Sequence, residues 1–465
     1  MNLHRMLLQR AEAGRPVRIG LIGAGKFGAM FLAQARMTAG FHVIAVADLV
    51  PENARAALER TGWPAERVGA KTFASALESG TTHVTEDAAA LIAADGLEVV
   101  IDATGDPAAG IRHARLAREA GRHMVMVNVE ADVVAGPLLA REAGAAGLVY
   151  SLAYGDQPAL ICELVDWARA CGLPVVAAGK GTKYRPEYHA STPDTVWDHY
   201  GRSAEEAAAA GMNPRMFNSF LDGTKSAIEM TAVANATGLT APPDGLAFPP
   251  CGVDELARVL RPRADGGVLH HKGQVEVISC ENRDGSPVPR DLRWGVYVVF
   301  EAPMDYTAQC FSEYGLVTDP SGRVTAMYKP FHLIGLELGI SVASAALRGE
   351  ATGAATGFRA DAVAIAKRDL AKGETLDGEG GYTVWGRIMP AADSLARGCL
   401  PIGLAQGVPM TRAVGQGEVL GWADVRIDET EELVRVRREM EAAFAPVDVP
   451  GGVSGGASEG VEAAE

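Results

Sequence analysis

The spacing of apolar residues divides this chain into stretches of different architecture. From Val17 to about Leu152, short β-branched runs such as "VRIGLI", "FHVIAVA", "EVVID" and "HMVMV" alternate with Ala-rich segments whose apolar positions recur at helical spacing. Short buried strands alternating with amphipathic helices mark a parallel sheet with crossover helices, which predicts an α/β domain over residues 1–152. Beyond Tyr150 the alternation breaks. "AYGDQPALICELVDWARACG" reads as a loop followed by an amphipathic helix, "PVVAAGKGTKYRPEYHAS" as a strand running into a polar loop, and "KGQVEVISC" and "WGVYVVFEA" as strands separated by turn residues. Together they predict a central α+β domain over residues 153–360. Within it, "YKPFHLIGLELGISVASAAL" returns to helical spacing after Phe331 and would carry the chain back to the first domain. From Asp361, short strands and Gly-rich turns predict a small β-rich domain over residues 361–430. The last residues, 441–465, are Gly/Ser/Glu-rich without a core-forming pattern and read as a disordered tail. At the other end, "MNLHRMLLQRAEAGRP" lacks a continuous apolar core and a small-residue cleavage site, so it reads as an amphipathic helix rather than a signal peptide.

Composition narrows the picture. A chain of 465 residues, 48% hydrophobic, has room for two or three globular domains with a large core. With 43 basic against 58 acidic side chains the net charge is −15, which argues against a nucleic-acid partner. No apolar run approaches the ~18 residues of a membrane span, so no membrane partner and a cytoplasmic location are expected. The six cysteines (Cys162, Cys171, Cys251, Cys280, Cys310, Cys399) show no C-x-x-C spacing and read as reduced, mostly buried thiols.

The candidate chemistry begins where the first strand turns into a helix. In "GLIGAGKFGAMF", Gly23, Gly25 and Gly28 fit G-x-G-x-x-G. The first glycine permits the tight turn, the second lets a pyrophosphate approach the backbone, and the third lets helix and strand pack closely. Ala24, Lys26 and Phe27 complete this corner, whose helix N-terminus offers free N–H donors to phosphate. Asp48, twenty residues after Gly28, stands where an acidic residue would hold a ribose hydroxyl pair. The segment therefore reads as a Rossmann dinucleotide site for NAD or NADP. Asp48 favours NAD(H), and Arg55 would be the cation available to a 2′-phosphate. Thr104 and Gly105, and Asn128 and Glu130, follow the next strands, at the carboxyl ends where an open α/β sheet binds its ligand.

A nicotinamide enzyme needs a group to handle the proton of the alcohol or carbonyl, a role lysine fills when burial lowers its pKa. Lys180 and Lys183 sit in "GKGTKY", just past an apolar run. In "FLDGTKSAIEM", Asp222, Lys225 and Glu229 are spaced at three and four residues and would share one face of a helix. Such a face suits a polar substrate or, through oxygen ligands, a divalent ion such as Mg or Mn; a solvated, salt-bridged surface is the plainer reading. Asp156 and Gln157 stand at a helix start, where capping competes with substrate contact. His332 precedes the returning helix. No H-E-x-x-H, G-x-S-x-G or P-loop pattern is present.

Taken in order, "GLIGAGKFG", "IDATG", "VMVNVE", "GKGTKY", "DGTKSAIE" and "GLELGISVASAAL" resemble a homoserine-dehydrogenase-related chain, and more closely the 1-deoxy-D-xylulose 5-phosphate reductoisomerase-like (DRL) family. The resemblance runs from Val17 to Asp428 and implies an NAD(P)-dependent oxidoreductase acting on CH–OH groups, with a small SAF-type domain at "RDLAKGETLDGEGGYTVWGRI". It places Lys180 and Lys183 at the substrate, aligns Asp222 and Lys225 with a catalytic Asp and Lys, and suggests Lys180, Lys183 and Arg185 for a substrate phosphate. One departure stands out: "NVEAD" has no lysine beside Asn128, where homoserine dehydrogenases read Asn-Lys. The expected partner is a small molecule, such as a sugar phosphate, and the expected state a homo-oligomer. A dehydrogenase for another small polar alcohol, and a non-catalytic nucleotide-binding scaffold, are the alternatives.

Overall fold

A computed structural model describes residues 2–445. Strands β1 (Val17–Ile22), β2 (Phe41–Ala47), β3 (His83–Thr85), β4 (Val99–Asp102), β5 (His123–Met126) and β6 (Tyr150–Leu152) form one six-stranded sheet in the order β3-β2-β1-β4-β5-β6. Every neighbouring pair is parallel, the expected doubly wound Rossmann arrangement. Its order reverses between β1 and β4, so a ligand crevice opens beyond the carboxyl ends of those strands. The apolar runs become strands because helices cover both faces: Val17, Ile19 and Leu21 pack toward one layer, Ile44, Val100 and Met124 toward the other.

The second sheet joins β7 (Val175–Thr182), β8 (Gln274–Ser279), β9 (Val296–Glu301) and β10 (Val324–Lys329) in the order β10-β9-β7-β8. One of its faces carries helices Gln157–Ala170 and Thr224–Thr237, through Leu160, Ile161, Met230 and Val233 against Val275, Val277 and Val298. Lys180 lies inside β7 rather than beyond the apolar run. The returning helix is Gly339–Arg348, and Val342 and Ala343 bury themselves against β1 and β4. It starts later than the periodicity suggests, because Phe331–Leu338 form a loop whose Gly335 (φ +79°) presses against the Phe27 carbonyl.

The β-rich C-terminal part pairs β11 (Ala360–Ala366) with β13 (Val384–Pro390) and β12 (Thr375–Asp377) with β14 (Gln406–Pro409). Ala362, Ala364 and Val384 pack onto Ile228 and Ala232 of helix Thr224–Thr237, so this part leans directly on the central helix. A last helix, Glu432–Phe444, seats Val436 and Met440 on Leu138 and Leu139 of the first domain. The expected tail from residue 441 is thus helical to Phe444, and residues 446–465 lie outside the described residues. No described helix is long and apolar enough to cross a membrane.

Candidate active site

The glycine corner is built as its sequence requires. Gly23 adopts φ +93° beneath β4, where a Cβ would meet the Ala103 carbonyl, and a Cβ on Gly28 would run into the Gly23 carbonyl. Gly25 differs: a Cβ there would meet nothing within 4 Å. The protein itself gives no packing reason for glycine at position 25, and the open space is where a pyrophosphate would lie. Gly25 caps helix Lys26–Ala35 and, with Ala24, Lys26 and Asp48, lines a cavity of about 620 Å³. Phe27 is half-buried behind it. Asp48 reaches the corner, its carboxylate accepting from Ala24 N (2.9 Å), Val50 N (3.0 Å) and Asn53 Nδ2 (3.3 Å). Arg55 instead pairs with Glu52 at the surface (3.1 Å), and the arginine lining the cavity is Arg60.

At the ends of β4 and β5 the polar residues divide. Thr104 Oγ1 donates to Asp102 (2.9 Å). Asn128 is buried, caps helix Val129–Ala145 through Ala131 N (3.1 Å) and donates to the Asp106 carbonyl (2.7 Å); it ties strand ends together. Glu130, two residues on, bonds Lys225. With Gly105 it lines a second cavity of about 210 Å³, shared with Arg215 and Ile228 of the central domain and Glu379 and Ile402 of the C-terminal part.

Helix Thr224–Thr237 positions the charges. Lys225 and Glu229 lie one turn apart on it, and Glu229 pairs with Lys180 of β7, both buried. Asp222 does not share that face. It ends the preceding helix, Pro214–Leu221, its Oδ1 accepts from Thr224 N (2.9 Å), and its Oδ2 lies 2.7 Å from Lys367 of the C-terminal part, both side chains buried. A buried ion pair therefore replaces the solvated helix face. The spacing reading fails because the chain turns at Gly223 (φ +92°) between Asp222 and Lys225.

The electrostatics correct a second expectation. Burial pulls the Lys225 ammonium down, but the fields of Glu130, Glu379, Glu229 and Asp156 outweigh it and hold Lys225 well above its usual value. It is a fixed positive charge, not a lowered-pKa base. Asp156, the cap of helix Gln157–Ala170, is pushed up to about 6, first by burial and then by Glu229, against the lowering fields of Lys225 and His332. Gln157 is buried beside it. Lys183 and Arg185 point elsewhere: Lys183 bonds Glu281, which also accepts from Tyr188 Oη (2.8 Å), and Arg185 stands 3.6 Å from Glu281 and 3.1 Å from Glu187. His332 is half-buried and bonded to the Trp294 carbonyl (2.8 Å). Among the described residues no group of His, Cys, Asp or Glu side chains is disposed to hold a metal ion. The donor set explains this, since ammoniums already occupy the centres of the carboxylate groups.

Glu379, Lys367 and Glu281 escaped the sequence reading. The one local signal was an acid flanked by glycines, "DGEGGY", in a domain otherwise read as packing.

Residues 155–338 match the family model described as "Oxidoreductase DRL, catalytic domain". The stretch holds Asp156, Lys180, Asp222, Lys225 and Glu229, so the chain carries an oxidoreductase catalytic domain. No curated protein sequence matches. Among solved structures, a probable dehydrogenase from Thermotoga maritima is similar at 14% identity over 72% of this chain and 90% of that one, with a TM-score of 0.37. A scyllo-inositol dehydrogenase from Lactobacillus casei, with bound NAD(H) and scyllo-inositol, is 12% identical over 61% and 73% of the two chains (TM-score 0.32). For a Synechocystis biliverdin reductase the values are 16% identity and a TM-score of 0.26; the likeness covers 37% of this chain and 48% of that one. These likenesses are too distant to bear on substrate or mechanism.

Proposed function

We propose that the protein is an NAD(P)-dependent oxidoreductase that interconverts a CH–OH group and a carbonyl on a small polar substrate. The observation that carries this reading is the pairing of two features at the carboxyl end of one parallel sheet. A dinucleotide-sized cavity opens on Gly25 beyond β1, and the Glu130–Lys225 pair follows the end of β5, two strands across the sheet. The residues present fit a dinucleotide: Gly25 leaves pyrophosphate space at the start of helix Lys26–Ala35, and Asp48, held by Ala24 N, borders it. Such a cofactor, when bound, supplies or accepts hydride. The chain does the rest. The Lys225 ammonium, held charged, stabilises negative charge developing on the reacting oxygen, while Lys180, neutralised by Glu229, shapes the polar floor.

Within this class, the first candidate substrate is 1-deoxy-D-xylulose 5-phosphate, reduced and isomerised to 2-C-methyl-D-erythritol 4-phosphate, as the DRL resemblance implies. Lys183 and Arg185 are partly committed to Glu281, which leaves a dehydrogenase of another small polar alcohol as the second reading. Screening the purified protein against sugar phosphates and small hydroxy acids, by reduced-nicotinamide absorbance, separates the two. The kcat/KM ratio for NADPH over NADH decides the cofactor: Asp48 favours NADH, whereas the reductoisomerase reading implies NADPH. A dinucleotide that binds without turning over any substrate would instead identify a scaffold.

A further inference from the structure

We infer that Glu379, on the C-terminal domain's loop between β12 and β13, is a proton-donating residue of this active site, acting beside Lys225 and Glu130. The inference rests on the oxidoreductase reading above and gives the C-terminal domain a chemical part.

The loop is built to present one side chain. Residues 378, 380 and 381 are glycines, and Gly380 adopts φ +64° so close to the Arg215 carbonyl that any Cβ would collide. Asn218 Nδ2 donates to the Gly380 carbonyl (3.0 Å), and Lys367 Nζ to that of Gly381 (2.8 Å). Asp377 accepts from Tyr382 N (2.7 Å) and Thr383 N (3.0 Å). Between these anchors Glu379 turns into the 210 Å³ cavity beside Gly105 and Glu130. Its carboxyl accepts one hydrogen bond, from Ser219 Oγ (2.5 Å), and has no cation directly upon it. A loop made only for packing has no use for a carboxyl group in that cavity.

Charge balance gives the group its state. Glu130, Glu379, Glu229 and Asp156 surround Lys225 and Lys180, four carboxyls against two ammoniums. A partly dry site does not hold that excess as bare charge, so protons neutralise it. Burial, then the field of Glu130, pushes Glu379 up to about 7, against Lys225 and the Ser219 bond, with Asp222 adding to the rise. Asp222 carries Lys367 as its own partner, and Arg215 spends its guanidinium on the carbonyls of Asp377 and Glu379 and on the Gln406 side chain. A carboxyl near pH 7 is matched to general acid–base work. A reduced nicotinamide, when bound, would supply hydride to the substrate's carbonyl carbon, and the C=O π pair would move onto oxygen. That oxygen takes the proton from Glu379, and the carboxylate left behind recovers a proton from water. The carbonyl is reduced to an alcohol and the nicotinamide oxidised; the reverse direction runs the same transfers backwards.

The first test needs no substrate. Full-length protein carrying ¹³C at glutamate side-chain carboxyls is titrated by NMR. Two glutamate signals titrating near neutrality are expected, from Glu379 and from Glu276, which burial also pushes up to about 7. Glu379→Gln removes one of them, Lys225→Met moves that midpoint upward, and both leave the Glu276 signal in place. Should Glu379→Gln not fold, Ser219→Ala moves the same midpoint upward. Two near-neutral signals that both survive Glu379→Gln, or a Glu379 that titrates with ordinary carboxylates below about pH 5, overturn the inference. The second test uses the first compound found to turn over: Glu379→Gln lowers kcat by about a hundredfold or more and removes one limb of its pH profile, while dinucleotide affinity holds and Glu379→Asp recovers part of the rate. An unchanged profile overturns the proton role. A titrating Glu379 in a protein that turns over nothing supports the proton site and sinks the oxidoreductase reading instead.

Discussion

An ammonium enclosed by carboxylates is a different reagent from one enclosed by apolar groups. Lys225 belongs to the first kind, and Met in its place keeps the bulk but removes the charge that four carboxyls share. Lys225→Met is expected to lower kcat by about a hundredfold to ten-thousandfold and leave dinucleotide affinity near wild type, because the residue lies outside the Gly23–Gly28 corner. Stopped-flow turnover and a fluorescence titration with the dinucleotide check the two halves; normal turnover would remove Lys225 from the mechanism. Asp132 makes a contrasting case. It is buried in helix Val129–Ala145 with one hydrogen bond, from Tyr150 Oη (3.1 Å), and burial pushes its carboxyl up to about 7. A group whose folded pKa lies above its unfolded one binds its proton more tightly in the folded state. Its contribution is greatest below the unfolded value near 3.8 and is lost as pH rises through about 7. Asp132→Asn keeps an acceptor without the titrating proton, so its stability relative to wild type should rise with pH, by about 2–3 kcal/mol between pH 5 and pH 8. Parallel urea curves at the two pH values measure it, and a pH-independent difference would show that Asp132 is ionised throughout.

At the scale of elements, local patterns were legible and pairings across the chain were not. The alternation of β-branched and Ala-rich runs foretold the doubly wound sheet, because each strand and each glycine answers to its immediate neighbours. The corner supports a paired prediction. Gly25→Val places its side chain in open space, so the protein should fold with near-normal stability and lose dinucleotide affinity by tenfold or more. Gly28→Ala drives a Cβ into the Gly23 carbonyl, so it should destabilise the helix–strand packing first. Thermal midpoints and binding isotherms on the two variants distinguish ligand space from packing space; equal affinity in Gly25→Val would remove the dinucleotide from this cavity. Elsewhere the reading failed for reasons of the same kind. Asp222, Lys225 and Glu229 have helical spacing, yet Gly223 breaks the helix between the first and second, and the partner Asp222 takes is Lys367, more than a hundred residues on. Phe331–Leu338 has helical periodicity too, but those residues meet the glycine corner as a loop. Glu379 was hidden for the same reason: its flanking glycines mark a turn, but the cavity it enters is formed by residues far away in sequence.

Across the whole molecule, the C-terminal part is bound into the fold from two sides, and the second attachment is testable on its own. Helix Glu432–Phe444 lies on the first domain through Val436 and Met440, while its Arg437 reaches into the β-rich part. The guanidinium is fully buried, 2.6 Å from Asp361 of β11 and 2.9 Å from Glu441, with the Phe358 ring 5.0 Å away. Asp361 has only Ser394 Oγ (2.6 Å) besides. Burying two charges costs desolvation that their attraction roughly repays, so the pair as a whole adds little net stability. Removing one member is another matter. Arg437→Leu leaves the Asp361 carboxylate buried with a single hydroxyl, whereas Glu441 keeps Arg438 at 2.9 Å. That variant should lose about 3–5 kcal/mol in urea unfolding, and the double variant Arg437→Leu with Asp361→Asn should recover most of the loss, because no charge is then stranded. A single variant within about 1 kcal/mol of wild type would mean that water reaches Asp361 and that the helix is not the clamp its geometry describes. If the loss and its recovery are both seen, the attachment that holds β11 and β13 against helix Thr224–Thr237, and with them the loop that brings Glu379 to Lys225, depends on a residue far from the chemistry.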